Sequence, residues 1–89
     1  VNSRVVLLDE PTVALDPPSV LGFENIIQQF KNSGTKVIIT THDLAQAKRL
    51  ADEIIFIDAG KVIEQSQADK FFSGPQSNQA QNFISGELV

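Results

Sequence analysis

Two adjacent carboxylates, Asp9 and Glu10, directly follow the apolar run 5–8 of this 89-residue chain. Such a run, with β-branched residues, predicts a parallel strand that is buried on both faces. Because neighbouring side chains of an extended chain point in opposite directions, the two carboxylates can have different tasks. Asp9 would hold Mg²⁺, directly or through water, and Glu10 would orient or deprotonate a water that attacks a phosphate. An acidic pair alone more often caps a loop, but here Pro-Thr at 11–12 and Ala-Leu-Asp-Pro at 14–17 follow.

His42 follows a second apolar run, residues 36–41, which is also rich in β-branched side chains. Strand-helix-strand connections are nearly always right-handed and join parallel strands, so the two strands are expected to end side by side. That places the imidazole near Asp9 and Glu10, where it can hydrogen-bond a terminal phosphate or hold the attacking water. A lone histidine is usually an ordinary surface or core residue. Its position at a strand exit, directly before another helix, favours a functional role here.

The segments around these residues predict an α/β fold. Asp16 and the prolines after it are typical of a helix start, and apolar residues that would pack on the sheet then repeat at helical spacing.

A second helix is expected after His42, where Asp43 or Thr41 can cap it. The run 54–57 predicts another buried strand, and Gly60 permits the tight turn of an edge hairpin. Two short helices, 68–72 and 78–84, are expected in the tail. The predicted stripe of the first helix comprises Val20, Phe23, Ile26, Ile27 and Phe30.

These motifs, in this order, resemble parts of an ABC transporter ATPase subunit. Residues 5–17 resemble the Walker B strand and D-loop, residues 40–43 the switch-histidine loop, and residues 51–62 the strands that close the domain. One departure is Val13, where the family more often has a small polar residue that serves D-loop hydrogen bonding across a dimer. The resemblance implies a P-loop NTPase-type, mostly parallel sheet flanked by helices, present here as a partial domain. It divides the chain into an ATPase portion, residues 1–66, and a helical tail, residues 67–89.

The resemblance also implies roles for individual residues. Asp9 would bind Mg²⁺, Glu10 would be the catalytic base, and His42 would contact the γ-phosphate of ATP. Asp16 would lie near the interface at which two subunits sandwich ATP, and would relay contact between the two sites. Hydrolysis would then drive a transmembrane permease during solute import, so the subunit would sit peripherally on the cytoplasmic face of the cell membrane. The tail, residues 69–88, resembles that of tungstate or molybdate importer ATPases.

Some motifs of that family do not occur in these residues. There is no Gly-x-x-x-x-Gly-Lys-Ser/Thr phosphate loop, and neither a glutamine loop nor a Leu-Ser-Gly-Gly-Gln signature precedes residue 5. The chain is therefore predicted to be the C-terminal part of a longer ATPase, inactive by itself, whose first partner is the missing N-terminal part of the same subunit. A chain this short is also expected to leave apolar strand surface exposed.

Net charge, cysteine content and the length of the apolar stretches each argue against one class of function or site. A net charge of −4 and the lack of a basic run argue against a surface that coats nucleic acid. No cysteine is present, which excludes disulfides and thiolate metal sites. No apolar stretch is long enough to span a bilayer.

Three other readings stay open at this point. A non-catalytic remnant, acting only as an interaction module, agrees with the missing phosphate loop. A non-transport ATPase of the same type, acting on DNA or ribosomes, would be favoured by long insertions or a second cassette, and neither is seen. A phospho-receiver domain would need a phosphorylatable aspartate at a later strand exit, where this chain has Thr40, Thr41 and His42.

Overall fold

A computed structural model describes residues 4–88 of the chain, with side chains through residue 86. It contains two compact units, residues 4–42 and residues 43–88, and the predicted α/β class is confirmed. No helix in the described part of the chain is long and apolar enough to cross a membrane. The first unit contains β1 (Val5–Asp9), α1 (Pro17–Asn32) and β2 (Lys36–Thr40). The second contains α2 (Leu44–Leu50), β3 (Glu53–Asp58), β4 (Lys61–Gln67), α3 (Ala68–Ser73) and α4 (Asn78–Leu88).

The sheet of the first unit is a pair of parallel strands. β1 and β2 are aligned without a register shift, from Val5 opposite Lys36 to Asp9 opposite Thr40. Burial alternates along both strands, and Leu7 is 71% exposed. The prediction that β1 is buried on both faces is therefore wrong for the described residues, because α1 is the only helix of this unit. The expectation of exposed apolar strand surface is confirmed.

The buried face of helix α1 differs from the one predicted. Ile27 and Glu24 are buried, whereas Ile26 and Phe30, both predicted to pack on the sheet, are 51% and 40% exposed. Successive helical residues are about 100° apart, so Ile26 and Ile27 cannot both lie at the centre of one stripe. The buried and half-buried residues of one helix face instead lie three or four positions apart, at 20, 24, 27 and 31.

The start of α1 also differs from the expectation. Asp16 occupies the N-cap position, but its side chain makes no capping hydrogen bond. An N-cap oxygen normally accepts from the second or third amide of the helix. Pro17 and Pro18 fill the first two positions and have no N–H. Of the second and third amides, only the third is therefore left for the carboxylate to cap. The helix still begins where it was predicted.

The core of the second unit is aromatic. Phe56 of β3 lies 6.1 Å from Phe71 of α3 and 5.6 Å from Phe83 of α4, measured between ring centroids. Phe71 and Ala80 are almost completely buried. On the opposite face of β3, Ile55 and Ile57 are more than half exposed, so the prediction of a fully buried strand is wrong there. The two predicted tail helices are confirmed.

β3 and β4 form the predicted hairpin. They pair antiparallel, and Asp58 opposite Lys61 closes a two-residue turn. Ala59 and Gly60 both have positive φ, 51° and 75°, as the favoured hairpin turns of this length require. Gly60 adopts this conformation without steric cost, which confirms its predicted role.

A carboxylate in β4 fixes the start of α4. Glu64 accepts hydrogen bonds from the Ser77 hydroxyl at 2.6 Å, the Ser77 amide at 3.0 Å and the Gln76 amide at 3.2 Å. The Ser77 oxygen in turn accepts from the amide of Ala80 in the first turn of the helix. The bonds from Ser77, its hydroxyl first and then its amide, hold the pKa of Glu64 below its usual value. Burial opposes them, and the Gln76 amide adds the smallest lowering effect.

This arrangement predicts a pH-dependent stability. Because the folded-state pKa of Glu64 is lowered, its contribution is present above the unfolded-state pKa and is lost as the pH falls through the folded-state pKa. Glu64→Gln should therefore reduce the free energy of unfolding by about 1 kcal/mol at neutral pH and by much less in acid. Urea unfolding of both proteins at neutral and acidic pH measures this. Glu53→Gln, at an exposed carboxylate with one hydrogen bond from Gln65, is the control. An equal loss at both pH values would contradict the prediction.

Candidate functional site

The carboxyl ends of β1 and β2 bring two polar side chains together. Asp9 and Thr40 are paired positions of the parallel ladder, and the Thr40 hydroxyl donates a hydrogen bond to Asp9 Oδ1. Both side chains lie on the exposed face of the strand pair. Sequence reasoning assigned Asp9 to metal binding but gave Thr40 no role. The signal that could have found it is a hydroxyl residue that ends the second strand of an aligned parallel pair.

Glu10, the next residue, leaves the strand in a strained conformation. Its amide donates to the carbonyl of Thr40 at 2.8 Å, and its φ of 45° lies in the left-handed region. For a residue with a Cβ this region costs about 1–2 kcal/mol, and a residue before proline, such as Glu10 before Pro11, normally prefers an extended backbone. Strain of this kind persists where the surrounding structure fixes the chain, and it often accompanies function.

His42 meets the Glu10 side chain directly. Its Nδ1 lies 2.6 Å from Glu10 Oε1, and because a carboxylate accepts hydrogen bonds, Nδ1–H is the donor. The Glu10 side chain is one-third exposed and that of His42 is 88% exposed. An exposed pair of this kind adds little to stability. The contact sets the carboxylate and the ring relative to each other and involves Nδ1, not Nε2.

The loop between β1 and α1 is built from short turns. The amide of Val13 donates to the carbonyl of Glu10 at 3.4 Å, and that of Leu15 donates to the carbonyl of Thr12 at 3.1 Å. Asp16 ends the loop, where its carbonyl accepts from an amide in α1 and its side chain is exposed. The structure thus places Asp9, Glu10 and His42 together at one end of the strand pair. Asp16 lies at the start of α1 and takes no part in their hydrogen bonds.

The residues present fit a magnesium ion that arrives with a nucleotide. Within residues 4–88, no group of three or more carboxylate or imidazole side chains could hold a metal ion. Mg²⁺, however, is usually bound through one or two carboxylates together with waters and substrate phosphates. The Asp9 carboxylate is an oxygen donor of that kind.

No protein-family model matches the chain. Over 86 residues, 97% of its length, the chain is 45% identical to the phosphate import ATP-binding protein PstB 1 of Vibrio parahaemolyticus, of which it covers 31%. It is 42% identical over 84 residues to the probable amino-acid import ATP-binding protein YxeO of Bacillus subtilis, covering 94% of the chain and 34% of that relative. Its homologues are ABC transporter ATP-binding subunits.

The glutamine transport ATP-binding protein GlnQ of Geobacillus stearothermophilus is a further ABC ATP-binding subunit of this kind. It is 34% identical over 82 residues, which are 92% of the chain and 34% of that relative. The chain thus spans about a third of the length of the ABC ATP-binding subunits that it matches. The resemblance predicted from residues 5–17 and 40–43 is confirmed at this level. The tungstate or molybdate type stays a prediction.

Proposed function

We propose that this chain supplies the hydrolytic part of the ATP-hydrolysing subunit of an ABC importer. This part binds MgATP together with the rest of the subunit. The observation that carries the proposal is the hydrogen bond that His42 Nδ1–H donates to the Glu10 carboxylate, beside Asp9, at the shared end of two parallel strands. The carboxyl ends of the strands are where open α/β sheets bind their ligands. A carboxylate that holds Mg²⁺ and a residue that orients the attacking nucleophile are recurring parts of phosphoryl-transfer sites.

Each residue has a distinct task in this proposal. Glu10 accepts the proton of the attacking water on its carboxylate, which the Nδ1–H of His42 holds in place. The Nε2–H of His42 then donates a hydrogen bond to an oxygen of the γ-phosphate, which requires a proton on both ring nitrogens. Asp9 would hold Mg²⁺, which would offset negative charge on the phosphate oxygens. Sharing one hydrogen bond fixes Glu10 and His42 relative to each other before the nucleotide arrives, which lowers the entropic cost of reaching the reactive geometry.

The proposed partners follow from what these residues cannot supply. The remaining part of the subunit would contribute the phosphate loop. A second ATPase subunit would approach the loop that contains Asp16 and the 82% exposed Val13, and ATP would lie between the two. A transmembrane permease would hold the subunit at the cytoplasmic face of the membrane, with no role for nucleic acid. In this proposal residues 1–66 belong to the ATPase domain and residues 67–89 form a tail.

The cargo is a small solute, and the resemblance of residues 69–88 supports tungstate or molybdate as its class. The relatives named above are import proteins for phosphate, amino acids and glutamine by their names. Uptake of labelled molybdate and of labelled phosphate by cells with and without the subunit separates these outcomes. Loss of phosphate uptake alone would overturn the molybdate assignment.

Nucleotide binding tests the proposal most directly. Isothermal calorimetry with ATP and Mg²⁺ is carried out on the 89-residue chain and on the longer subunit that contains it. Binding by the longer protein alone is the expected result, since residues 1–89 contain no phosphate loop. Binding by the short chain would reveal a different nucleotide site. Absence of binding by both would favour a non-catalytic interaction module, and ATP hydrolysis without an associated permease would favour a non-transport ATPase.

A further inference from the structure

Thr40 contacts both acidic residues of the site at once. Its hydroxyl donates to Asp9 Oδ1, and its carbonyl accepts the amide of Glu10. The aligned register of β1 and β2 makes both contacts possible, because it sets Asp9 directly opposite Thr40 and Glu10 one residue beyond the ladder. One residue of β2 is therefore linked to the two carboxylates that the proposed chemistry divides between metal binding and proton transfer.

The hydroxyl contact restricts how Asp9 can present its carboxylate. Asp9 and Thr40 are on an exposed strand face, where an aspartate side chain would otherwise sample several rotamers. The hydrogen bond to Oδ1 selects among them and leaves Oδ2 as the oxygen that can take a metal. Groups that orient a metal ligand in this way typically change metal affinity by about 10–100-fold when they are removed.

The carbonyl contact acts on the neighbouring residue. Glu10 has φ of 45°, a conformation that the chain does not adopt without support. The bond from its amide to Thr40 holds the backbone at this point, and the side chain is then in reach of His42. A substitution at Thr40 keeps this backbone bond, whereas it can delete the bond to Asp9, so the two contacts can be separated by experiment.

We propose that Thr40 is a positioning residue, whose hydroxyl orients the Asp9 carboxylate toward the magnesium of MgATP. The inference rests on the proposed function, since it requires that the subunit binds a metal-nucleotide complex. Thr40 itself does not touch the reacting atoms. Its effect should therefore appear in metal affinity first and in turnover only through the metal.

The test measures binding of Mn²⁺, as a paramagnetic substitute for Mg²⁺, to the longer subunit in the presence of a non-hydrolysable ATP analogue. Thr40→Val removes the hydroxyl and keeps a β-branched strand residue, and Thr40→Ser restores a hydroxyl. Thr35→Val is the matched control, because it makes the same chemical change before the other end of β2, where the hydroxyl lies 3.4 Å from that of Ser33. Free Mn²⁺ is counted by electron paramagnetic resonance, and folding is checked by circular dichroism.

Thr40→Val is expected to raise the Mn²⁺ dissociation constant by about tenfold, with metal-free binding of the analogue unchanged. Thr40→Ser should return it to within about threefold of the unmodified protein, and Thr35→Val should match that protein. An unchanged constant in a folded Thr40→Val protein would overturn the inference, as would failure of serine to restore affinity. If the valine variant does not fold, Thr40→Ala replaces it and is held to the same outcomes. Failure of the unmodified subunit to bind the analogue would instead overturn the proposed function.

Discussion

Glu10→Gln is expected to leave ATP binding by the longer subunit nearly unchanged and to slow hydrolysis by about a hundredfold to ten-thousandfold. Glutamine has the same shape, and its side-chain oxygen can still accept the hydrogen bond that Nδ1 of His42 donates at 2.6 Å in the unmodified site. What it cannot do is take a proton from the attacking water. The substitution therefore removes the proposed base while the local geometry stays in place.

The measurement pairs calorimetric ATP binding with single-turnover hydrolysis. Glu53→Gln makes the same chemical change at an exposed carboxylate in the second unit and is expected to hydrolyse ATP at the normal rate. Near-normal hydrolysis by Glu10→Gln would show that another group accepts the proton. A parallel loss of binding would show instead that Glu10 serves the nucleotide site as a structural residue.

His42→Ala is the second substitution with a large expected effect, a loss of roughly a hundredfold in turnover. The value is that typical of removing one preorganised donor to developing charge in a transition state. Deleting the ring also frees the Glu10 carboxylate, because the bond to Nδ1 is lost. ATP binding should weaken much less than turnover, since contacts to the rest of the nucleotide remain.

Two amide substitutions can separate the tasks of the two ring nitrogens. The side-chain N–H of asparagine lies close to the position of Nδ1, so His42→Asn can retain the donor to Glu10 and lose the group that faces the phosphate. Glutamine is longer, so His42→Gln places its amide nearer to the position of Nε2 and loses the donor to Glu10. Recovery with glutamine alone would support phosphate contact as the main task, and recovery with asparagine alone would support orientation of Glu10. Unchanged turnover in His42→Ala would refute both.

The effects at Glu10 and His42 are expected to be strongly non-additive. The two side chains share one hydrogen bond, and residues that act as a unit lose most of their effect when either is removed. The double variant should therefore be little slower than Glu10→Gln alone. Rates that multiply would mean that the two residues act independently, although they are in contact.

Much of the fold could be predicted because it depends on local signals. Apolar runs of β-branched residues marked β1 and β2, the prolines after Asp16 marked the start of α1, and Gly60 marked the hairpin turn. Each of these restricts the backbone of a few neighbouring residues, so no distant contact is needed to recognise it. Asp43 illustrates the same point, since its side chain accepts a hydrogen bond from the amide of Gln46 and caps α2. It is one of the two residues, with Thr41, that the sequence predicted for this cap.

Burial was predicted less well, because it depends on what packs against each element. The apolar run of β1 was interpreted as buried on both faces and that of β3 as a buried strand, yet Leu7 and Ile55 are exposed in their units. Helix α1 was expected to bury Phe30, but buries Glu24 instead. A run of apolar residues records the preference of the strand for a covered face. It does not record whether a covering layer is present.

The sequence by itself determined which groups could do chemistry in this protein, and at which strand ends they would lie. Asp9, Glu10 and His42 follow directly from residue types and from the rule that parallel strands end at the same edge. Only the tertiary structure decided how they are held: the register that pairs Asp9 with Thr40, the positive φ of Glu10, and the bond from Glu10 to His42. The two side-chain contacts, of Thr40 with Asp9 and of His42 with Glu10, join residues more than thirty positions apart. The distance and direction of such a contact depend on the aligned strands rather than on any local pattern.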